Sequence, residues 1–486
     1  MSRPAKFYIT TPIYYVNASP HIGHTYTTVA ADVLARFHRL LGDRTFFLTG
    51  TDEHGAKIAE RAAEEGKEPK QFVDDIAAKY QSAWKSLDIS FERFIRTTEA
   101  EHKQAIRRAV ESMVKKGDIY KDKYEGLYCQ GCEQFKNEKD LVNGLCPDHK
   151  IKPVLMSEEA YMFRQSKYQK EILAKIKTDE FKIRPLERKN EMVSFYENEG
   201  LKDVAFSRQK VKWGIPFPGD DTHTIYVWAD ALLNYLTGLG WQGEVGSFGS
   251  AQDESGQALE FWPPDIQLMS KDILRVHSSI WPAMLLSLEI PLPKQLFIHG
   301  YFLIDSQKMS KSLGNVISPE QLIERYGVDG ARYLLMSATS FGSDGDIGFK
   351  FFDEKYNADL ANGLGNLVAR VSNLLEKNEI EIDLHHDGDK QLADEYYQVM
   401  EILRFDEALK TIWRKIAECD ESLSDKKPWK LEDKAEITAV LMPIAQNILH
   451  LAELLKPFMP GTADRIIEQF SQRKIKKTEA LFPRIA

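Results

Sequence analysis

This 486-residue chain has few cysteines, no long apolar run and no positive net charge. Its four cysteines are too few for a disulfide framework in so long a chain, which favours a reducing compartment, and we expect the cytoplasm. No run reaches the ~18 apolar residues of a membrane-spanning helix. The first residues contain no apolar segment typical of a signal peptide, so we expect none. The net charge of −9 argues against a protein that coats itself with nucleic acid, although a local basic face is compatible with it.

The first fifty residues have the pattern of a parallel α/β unit. Residues 7–10 form a short β-type run, and residues 45–49 form a second apolar strand. Between them, apolar residues at helical spacing run from Val29 to Leu41, and Gly42 is a natural helix stop. A strand, a helix and a strand in this order predict a parallel sheet. Ligands bind at the carboxyl ends of such strands, where a helix N-terminus favours an anion.

Two later regions differ from this opening. Residues 118–212 carry three of the four cysteines and only short, broken patterns, which predicts an inserted module. Strand patterns return in three places, at residues 224–228, 266–269 and 296–299. After about residue 350 they nearly disappear, and three long amphipathic helices are predicted, at residues 357–378, 390–419 and 435–455. The predicted fold class is therefore α/β, Rossmann-like with an inserted module, followed by an all-α domain.

A pair of histidines follows the first predicted strand. In Pro20-His21-Ile22-Gly23-His24, Gly23 lets the backbone approach a ligand closely. Both imidazoles lie where the N–H groups of a helix N-terminus favour an anion. Two solvent-facing histidines at a turn are the alternative.

Two lysines stand three residues apart much later in the chain. Lys308 and Lys311 belong to the segment Lys-Met-Ser-Lys-Ser, on a loop with serine and glycine. Two amines on such a loop suit a polyphosphate whose charge grows during a reaction. A solvated basic loop is the alternative.

The cysteine spacing predicts a metal site. Cys129 and Cys132 form a Cys-x-x-Cys pair, and Cys146 and His149 form a Cys-x-x-His pair thirteen residues further on. Four soft ligands in two such pairs fit tetrahedral Zn²⁺ with every position filled, which is a structural site. Reduced thiols without a metal are the alternative. Cys419 lies alone in a helical pattern and is predicted to be a core residue.

The histidine and lysine motifs resemble the two signatures of class I aminoacyl-tRNA synthetases, and the rest of the chain is similar to the methionyl-tRNA synthetases. The matching segments extend over essentially the whole chain. They are Thr-Pro-Ile-Tyr-Tyr-Val-Asn at 11–17, Thr-Gly-Thr-Asp-Glu-His-Gly at 49–55, Trp-Gly-Ile-Pro-Phe-Pro-Gly-Asp at 213–220, Val-Trp-Ala-Asp-Ala at 227–231, Lys-Asp-Ile-Leu-Arg at 271–275, Trp-Pro-Ala-Met-Leu at 281–285 and Lys-Pro-Trp at 427–429.

This resemblance implies a ligase reaction in two steps. Methionine and ATP, with Mg²⁺ sharing the charge, give methionyl-adenylate and pyrophosphate. The methionyl group then passes to the 2′-hydroxyl of the terminal adenosine of elongator and initiator tRNA(Met). Positioning and charge stabilisation dominate such chemistry. The implied catalytic residues are His21, His24, Lys308 and Lys311, and the implied ATP-binding residues are Gly23, His24, Asp272, Gly300 and Lys311.

The resemblance also implies the binding residues of methionine and of the anticodon. The methionine pocket is implied at Ile13, Tyr15, Asp52, Trp228, Ala231, Leu232, Tyr235, Ile273 and His277. An aspartate suits the substrate ammonium, and aromatic rings suit a thioether, although core packing would be favoured for Trp228 and Tyr235 without the resemblance. The family usually has an aromatic residue just before His277, whereas this chain has Val276, so we expect a looser pocket floor or another side chain that fills it.

The residues implied in reading the CAU anticodon lie in the helical region. They are Asn362, Asn366, Arg370 and Trp429. Tryptophan and arginine can stack on splayed bases, and asparagine can read base edges. Capping or packing would be the favoured interpretation of each without the resemblance.

Together these interpretations predict five segments and a set of partners. The segments are a catalytic domain at 1–117 and 213–315, an inserted zinc module at 118–212, a linking segment at 316–355 and a helical anticodon-binding domain at 356–486. The expected partners are ATP, methionine and tRNA(Met), without a membrane. We expect a monomer, because the dimerising C-terminal domain of some family members does not follow residue 486.

The sequence disfavours three rival functions. A synthetase for leucine, isoleucine or valine would need a larger editing insertion than residues 118–212 allow. A cysteine enzyme would place zinc ligands in its amino-acid pocket. A non-catalytic, synthetase-like RNA-binding protein would show a degraded His21, His24 or Lys311, and all three are intact.

Overall fold

The structure is a computed structural model that describes residues 5–131, 134–136, 138, 141–246, 259–304, 307–308, 316–385 and 388–485. The chain divides into two compact units. Unit 1 comprises Met1–Ser19, Arg44–Ser82 and Phe91–Ile298, and unit 2 comprises Pro20–Asp43, Ala83–Ser90 and His299–Ala486. The five segments expected from the sequence stay a prediction.

Strands and helices alternate through most of unit 1, and helices dominate unit 2. The strands are β1 (Lys6–Tyr15), β2 (Arg44–Asp52), β3 (Arg93–Arg96), β4 (Ile119–Cys129), β5 (Gln134–Lys136), β6 (Val154–Phe163), β7 (Lys182–Arg184), β8 (Val204–Ala205), β9 (Ser207–Arg208), β10 (Pro216–Phe217), β11 (Asp220–Ile225), β12 (Ile266–Ser270), β13 (Gln295–His299), β14 (Phe302–Ile304), β15 (Gln307–Lys308) and β16 (Gly345–Asp346). The helices are α1 (Ile22–Leu40), α2 (Ala56–Glu64), α3 (Pro69–Ser86), α4 (Ala100–Lys115), α5 (Gln169–Lys177), α6 (Leu186–Asn198), α7 (Val227–Ala231), α8 (Asn234–Thr237), α9 (Leu274–Ser278), α10 (Ile280–Ser287), α11 (Pro319–Ser337), α12 (Phe349–Lys355), α13 (Asn366–Lys377), α14 (Lys390–Glu401), α15 (Phe405–Lys426), α16 (Lys434–Leu455) and α17 (Pro460–Phe470).

The main sheet has six strands in the order β3-β2-β1-β12-β13-β7. The pairs β3·β2, β2·β1, β1·β12 and β13·β7 are parallel. Residues 6–15 form a strand because they are rich in β-branched and aromatic residues, and most of them are buried, as in a sheet covered on both faces. The pairing of β1 with β2 shifts register between Thr10 and Ile13, across Pro12, which cannot donate to the ladder. The parallel α/β fold predicted from the sequence is confirmed.

The inserted segment, residues 118–212, contributes to three sheets, one of which is the small antiparallel sheet that contains β9. Strands β5, β4, β6 and β8 form a four-stranded antiparallel sheet, in which β4 and β6 pair along ten residues each. The same segment also supplies β7 to the edge of the main sheet. The segment is therefore not a separate appendage, because α5, α6 and β7 bury residues in the apolar core of unit 1.

One predicted strand is partly wrong. The pattern at residues 224–228 predicts a strand, but β11 ends at Ile225 and α7 begins at Val227. Moreover, β11 pairs with β9 and β10 in a small antiparallel sheet. The carbonyl of Tyr226 accepts from the N–H groups of Ala229 and Asp230, so the helix starts in the middle of the apolar run.

The helical part of unit 2 confirms two of the three predicted helices. Residues 349–377 are continuously helical, with a π-helical stretch at Tyr356–Gly365 between α12 and α13, and α16 matches the third prediction. The single helix predicted at residues 390–419 is wrong. It is divided into α14 and α15 by a turn in which Leu403 adopts a φ of 61°, and no glycine or proline announces that turn.

Helix α16 is the one helix in the described part of the chain that is long and apolar enough, by length and composition, to cross a membrane. Half of its most apolar stretch is buried inside the protein. The buried residues include Ile437, Leu441, Ile444 and Ile448. This burial is typical of the core helix of a helical domain.

Candidate active site

Five of the nine predicted methionine-binding residues lie at one edge of the main sheet. Ile13 and Tyr15 lie near the end of β1, and Asp52 is the last residue of β2, where it pairs in register with Tyr15. Ile273 and His277 follow the end of β12, in a 3₁₀ turn and in α9. Because β2 and β12 both run parallel to β1, the three strands present their carboxyl ends at the same edge.

The other four predicted pocket residues lie on α7, on α8 and between them. Trp228 and Ala231 belong to α7, Leu232 caps that helix, and Tyr235 belongs to α8. The side chains of Ala231, Leu232 and Tyr235 are buried, and Trp228 is half-buried. The hydroxyl of Tyr8 in β1 donates to the Tyr235 carbonyl at 2.7 Å, which ties α8 to the sheet.

Tyr235 and His277 form a hydrogen-bonded pair of fixed polarity. His277 Nδ1 lies 3.0 Å from the Ile273 carbonyl oxygen, which can only accept, so Nδ1 carries the proton. In the neutral ring Nε2 then accepts from the Tyr235 hydroxyl at 2.8 Å. Burial lowers the pKa of His277 to about 4, against the opposing effects of the Ile273 hydrogen bond and Asp272. The ring is therefore neutral near pH 7, and this part of the pocket carries no charge.

Val276 stands where the resemblance leads one to expect an aromatic residue. Its side chain is partly buried and packs against the apolar core of unit 1. A different aromatic residue, the fully buried Trp281, packs against Tyr235 with 5.5 Å between ring centroids. The Trp228 ring stands edge-on to His277 at 6.3 Å. Tyr235 and His277 are thus flanked by two tryptophans.

Buried charges hold the end of β2 in place. The Glu53 carboxylate accepts from Thr51 at 2.6 Å, from Arg96 at 2.6 and 2.9 Å, and from Thr98. The next residue, His54, places Nδ1 2.7 Å from an Asp230 carboxylate oxygen. Asp52 therefore precedes two consecutive buried residues whose side chains are both anchored.

The two signature histidines lie at the start of α1 in unit 2. His21 is the N-cap residue, and its Nδ1 accepts from the Gly23 N–H at 3.1 Å. His24 Nδ1 accepts from the His21 N–H at 3.3 Å, and the two rings stack at 3.8 Å. A neutral ring whose Nδ1 accepts carries its proton on Nε2. Both imidazoles therefore present an Nε2–H donor at a helix N-terminus, which is the polarity that a phosphate requires.

The remaining predicted ATP residues are placed as follows. Asp272 lies exposed in the turn after β12 and accepts from the Ser270 hydroxyl. Gly300 follows β13, and a Cβ there would lie 2.0 Å from the Ser343 carbonyl oxygen, so only glycine fits. For Lys308 the structure describes the backbone alone, in β15, and Lys311 lies outside the described residues.

A buried ion pair anchors α1 within unit 2. Asp32 accepts from Arg332 and from Arg36 at 2.7 Å each, and from the Ser90 N–H and hydroxyl. Burial by itself would raise the pKa of the Asp32 carboxyl, but Arg332, Arg36 and Ser90 together hold it below its ordinary value. Arg332 is fully buried and also donates to the carbonyls of Leu87, Pro457 and Phe458.

Three of the four predicted zinc ligands lie close together. The Sγ atoms of Cys129 and Cys146 and a ring nitrogen of His149 all lie within 4.8 Å of one another. Cys132 lies outside the described residues. Zn–S bonds of ~2.3 Å in a tetrahedron separate two sulfurs by ~3.8 Å, so this donor set fits the ion. A Cβ at Gly131 would lie 2.4 Å from the His149 ring, so glycine at that position lets the two pairs approach.

The four predicted anticodon residues form two groups in unit 2. Asn362 and Asn366, in the π-helical stretch and in α13, line a groove of about 350 Å³. The opposite wall of that groove includes Ala480, Leu481, Phe482 and Arg484. The Arg370 guanidinium lies 5.6 Å from the centre of the Trp429 ring and pairs with Asp420 at 2.9 Å. Trp429 is 47% exposed, so it is available for stacking.

Comparison with known proteins identifies the family. The family model for tRNA synthetases class I (M) matches residues 7–153 and 149–372. The chain belongs to this family. A methionine–tRNA ligase of Clostridium acetobutylicum is 42% identical over 100% of this chain and 79% of that protein, and one of Thermotoga maritima is 40% identical over 96% and 75%. The crystal structure of Mycobacterium tuberculosis methionyl-tRNA synthetase bound by methionyl-adenylate is 34% identical, covers 99% of this chain and 100% of its own, and has a TM-score of 0.90.

For this class I synthetase, the sequence motifs led to the residues at the sheet edge and at the start of α1, but not to the charges behind them. Asp230, His102 and the pair Asp32–Arg332 were not predicted. Asp230 lies 128 residues from His102 and 176 from His54, and Asp32 lies 300 residues from Arg332, so no local spacing connects these pairs. The available signal was the presence of charged residues within otherwise apolar segments, such as Asp230 between Trp228 and Ala231.

Proposed function

We propose that this chain is a methionine–tRNA ligase, which activates methionine with ATP and charges tRNA(Met). The observation that carries the proposal is the neutral Tyr235–His277 pair, whose histidine follows β12 at the same carboxyl edge of the sheet where Asp52 ends β2. An uncharged, aromatic cavity wall suits a thioether, and one carboxylate suits an ammonium group. The combination matches the two ends of methionine.

In the proposed binding mode Asp52 pairs with the substrate ammonium. Ile13, Tyr15, Ala231, Leu232 and Ile273 supply the apolar surface, and Trp228 and Tyr235 lie against the thioether. The neutral His277 holds the Tyr235 hydroxyl, so the side chain cannot change its χ1 rotamer without losing a buried hydrogen bond. A fixed ring selects by shape between methionine and shorter or branched side chains, which is worth about 1–3 kcal/mol per methylene.

The proposed activation step is an in-line displacement. A carboxylate oxygen of methionine attacks the α-phosphorus of ATP, the bond from that phosphorus to the bridging oxygen breaks, and pyrophosphate leaves with the electron pair. His21 and His24 stabilise the phosphate oxygens through their Nε2–H groups. Lys308 and Lys311 hold the leaving pyrophosphate, and Gly23, Asp272 and Gly300 contribute to the ATP site. ATP would bring Mg²⁺, which would share the negative charge.

In the proposed transfer step the 2′-hydroxyl of the terminal adenosine of tRNA(Met) attacks the methionyl carbonyl, and AMP leaves. Selection of the tRNA is assigned to Asn362, Asn366, Arg370 and Trp429. The groove of Asn362 and Asn366 supports this assignment, because a cavity of about 350 Å³ admits an unstacked base. The Arg370–Trp429 pair offers a stacking face, and Arg370 lies four residues after Asn366 on α13.

The proposed metal is one structural Zn²⁺ held by Cys129, Cys132, Cys146 and His149. The support is the cluster of two sulfurs and one imidazole nitrogen. When bound, zinc would fix the two ligand pairs to each other and stabilise the fold of the module. Elemental analysis of protein made with zinc present should give one Zn²⁺ per chain, and a clearly lower ratio would support unliganded thiols.

The test of the activity is pyrophosphate–ATP exchange. Exchange should depend on methionine, and leucine, isoleucine, valine or cysteine at the same concentration should support far less of it. Aminoacylation should then require tRNA(Met). Equal exchange with several amino acids, or none with methionine, would overturn the proposal. The expected monomer and cytoplasmic location stay predictions, which light scattering and cell fractionation test.

A further inference from the structure

Asp230 is a buried carboxylate that the proposed mechanism does not use. It is 1% exposed, and its two oxygens lie 2.7 Å from His54 Nδ1 and 2.7 Å from His102 Nε2. Both histidines are buried as well. Burial alone would raise the pKa of the Asp230 carboxyl, but His54 and His102 together hold it below its ordinary value. The group is thus an ionised carboxylate clamped by two imidazoles.

The clamp joins elements that carry different walls of the pocket. Asp230 lies on α7 between Trp228 and Ala231. His54 follows β2 and is two residues from Asp52. The single 2.7 Å contact from His54 to Asp230 therefore connects the wall that bears the carboxylate to the wall that bears the indole ring.

The backbone between Asp52 and His54 has little freedom. Glu53 is held by Arg96 and two threonines, and its own N–H donates to Thr97 at 2.9 Å. Trp213 binds the same stretch twice, since its indole N–H donates to the Glu53 carbonyl at 2.6 Å and its carbonyl accepts from the Gly55 N–H at 3.0 Å. The His54 side chain and this rigid turn therefore form a direct connection from α7 to Asp52.

The second imidazole connects α7 to α8. His102 on α4 contacts Asp230 through Nε2 and the Thr237 hydroxyl through Nδ1, at 2.7 Å each. Thr237 ends α8, the helix of Tyr235. His102 thus braces the thioether side of the pocket, whereas His54 braces the ammonium side.

We propose that Asp230 is a positioning residue that acts through His54 to hold Asp52 at the distance and angle required by the substrate ammonium. The proposal rests on the proposed role of Asp52 in binding that ammonium. Asp230 itself does not touch the substrate. Removal of the Asp230 carboxylate lets Asp52 move relative to Trp228. The loss of affinity therefore falls on ligands that carry both an ammonium group and the thioether.

The test compares methionine with its 2-hydroxy analogue, 2-hydroxy-4-(methylthio)butanoate, which replaces the ammonium by a hydroxyl and keeps the rest. Dissociation constants are measured by calorimetry or by displacement. Asp230→Asn should weaken methionine about tenfold, because one charge-assisted hydrogen bond is misaligned, and should change the analogue by less than about twofold. The quantity of interest is the dissociation constant of methionine divided by that of the analogue. General loosening of the fold would weaken both ligands and leave this ratio unchanged.

Three further variants make the outcome decisive. His54→Gln should raise the dissociation constant of methionine relative to that of the analogue, as Asp230→Asn does. It provides the measurement if Asp230→Asn does not fold. His102→Gln removes the other contact of Asp230 and should leave the ratio closer to that of the wild type. In the double variant Asp52→Asn/Asp230→Asn, the second substitution should add less than about twofold to the first, because interacting residues are not additive.

Each of the following results would overturn the inference. Equal weakening of both ligands by Asp230→Asn and His54→Gln would leave Asp230 a structural residue only, and additive losses in the double variant would show that it does not act through Asp52. If Asp52→Asn alone fails to distinguish the two ligands, the proposed function of Asp52 is wrong, and the inference falls with it. If Asp52→Asn distinguishes them and Asp230→Asn does not, the inference alone is wrong.

Discussion

The pocket at the sheet edge of unit 1 and the start of α1 in unit 2 use histidine in opposite ways. His277 is buried, and both of its ring nitrogens are satisfied within the protein. His21 and His24 are half-buried, and the structure ties each of them to the backbone through Nδ1. In the proposed mechanism the first imidazole thus belongs to the wall of the methionine pocket, and the other two donate to the phosphate.

This difference follows from the ligands that the two regions suit. A thioether has no charge to bind, so recognition depends on the shape of a neutral cavity, and a charged ring there would cost solvation energy. A polyphosphate needs donors fixed in advance around its growing charge. The comparison implies that changes in unit 1 should alter methionine binding, whereas changes near α1 should alter the rate of activation.

The largest expected effect concerns the ion pair that anchors α1. Arg332→Met leaves the Asp32 carboxylate buried with an incomplete set of partners, which costs about 3–5 kcal/mol of the free energy of unfolding. The control is Arg36→Met, which removes a partly exposed partner and should cost about 1 kcal/mol. Denaturant midpoints measure both. Equal losses would mean that the buried Arg332 contributes no more to stability than the partly exposed Arg36. A changed methionine affinity would contradict the expectation that changes near α1 leave methionine binding intact.

The next effect is on activation. His24→Ala should lower the rate of pyrophosphate–ATP exchange by about 10²–10³, since one donor to the transition state is lost. The affinity for methionine should stay within about twofold of the wild-type value. His38→Ala, at the other end of α1, is the matched control and should leave exchange unchanged. A variant of His24 with near-normal exchange would remove that residue from the mechanism.

A third effect separates the two kinds of histidine by pH. The folded pKa of His277, about 4, lies below the ordinary value of 6.5, so the unfolded chain takes up a proton that the folded chain does not. The contribution of this residue is complete above pH 6.5 and is lost as the pH falls from 6.5 towards 4, by about 2 kcal/mol between pH 7 and pH 5. Urea unfolding at both pH values should show this slope in the wild type and a smaller one in His277→Asn. The methionine dissociation constant should vary little between pH 8 and pH 5.

The smallest effect is expected at the proposed anticodon surface. Trp429→Ala should reduce aminoacylation of tRNA(Met) about tenfold, because a stacked base contributes ~1–3 kcal/mol. Exchange without tRNA should stay normal. Met442→Ala removes another exposed apolar side chain of the helical region and should change neither assay. Damage by Trp429→Ala to both assays would indicate a packing role.

The local patterns of the sequence predicted the fold well where strand, loop and helix follow one another. The start of α1, the stop at Gly42 and the strands β12 and β13 were predicted because turn residues and apolar spacing mark them directly. The break at Leu403 was missed because its left-handed backbone has no glycine to announce it. The start of α7 was missed because the apolar run that contains Val227 suits a strand equally well.

The candidate site was predictable only as far as motifs reach. Motif and family resemblance named Asp52, Trp228 and His277, but the Asp230–His54–His102 cluster depends on three segments that meet only in the folded chain. Hydrogen-bond direction could not be predicted either. The neutral state of His277 follows from its burial and its tautomer from the Ile273 carbonyl, and the sequence records neither of them.

The ion pair of Asp32 and Arg332 also has a consequence for the order of synthesis. The two residues are 300 positions apart, so at ~5–20 residues per second Arg332 is made about 15–60 s after Asp32. During that interval the Asp32 carboxylate can pair with Arg36 and, once it is made, with Ser90. It has no contact yet with the Arg332 guanidinium, beside which it is buried in the folded protein. A nascent chain shorter than 332 residues therefore cannot complete the burial of α1. The apolar face with Val33, Leu34 and Phe37 therefore stays incompletely covered until α11, about 300 residues further along the chain, has been synthesised.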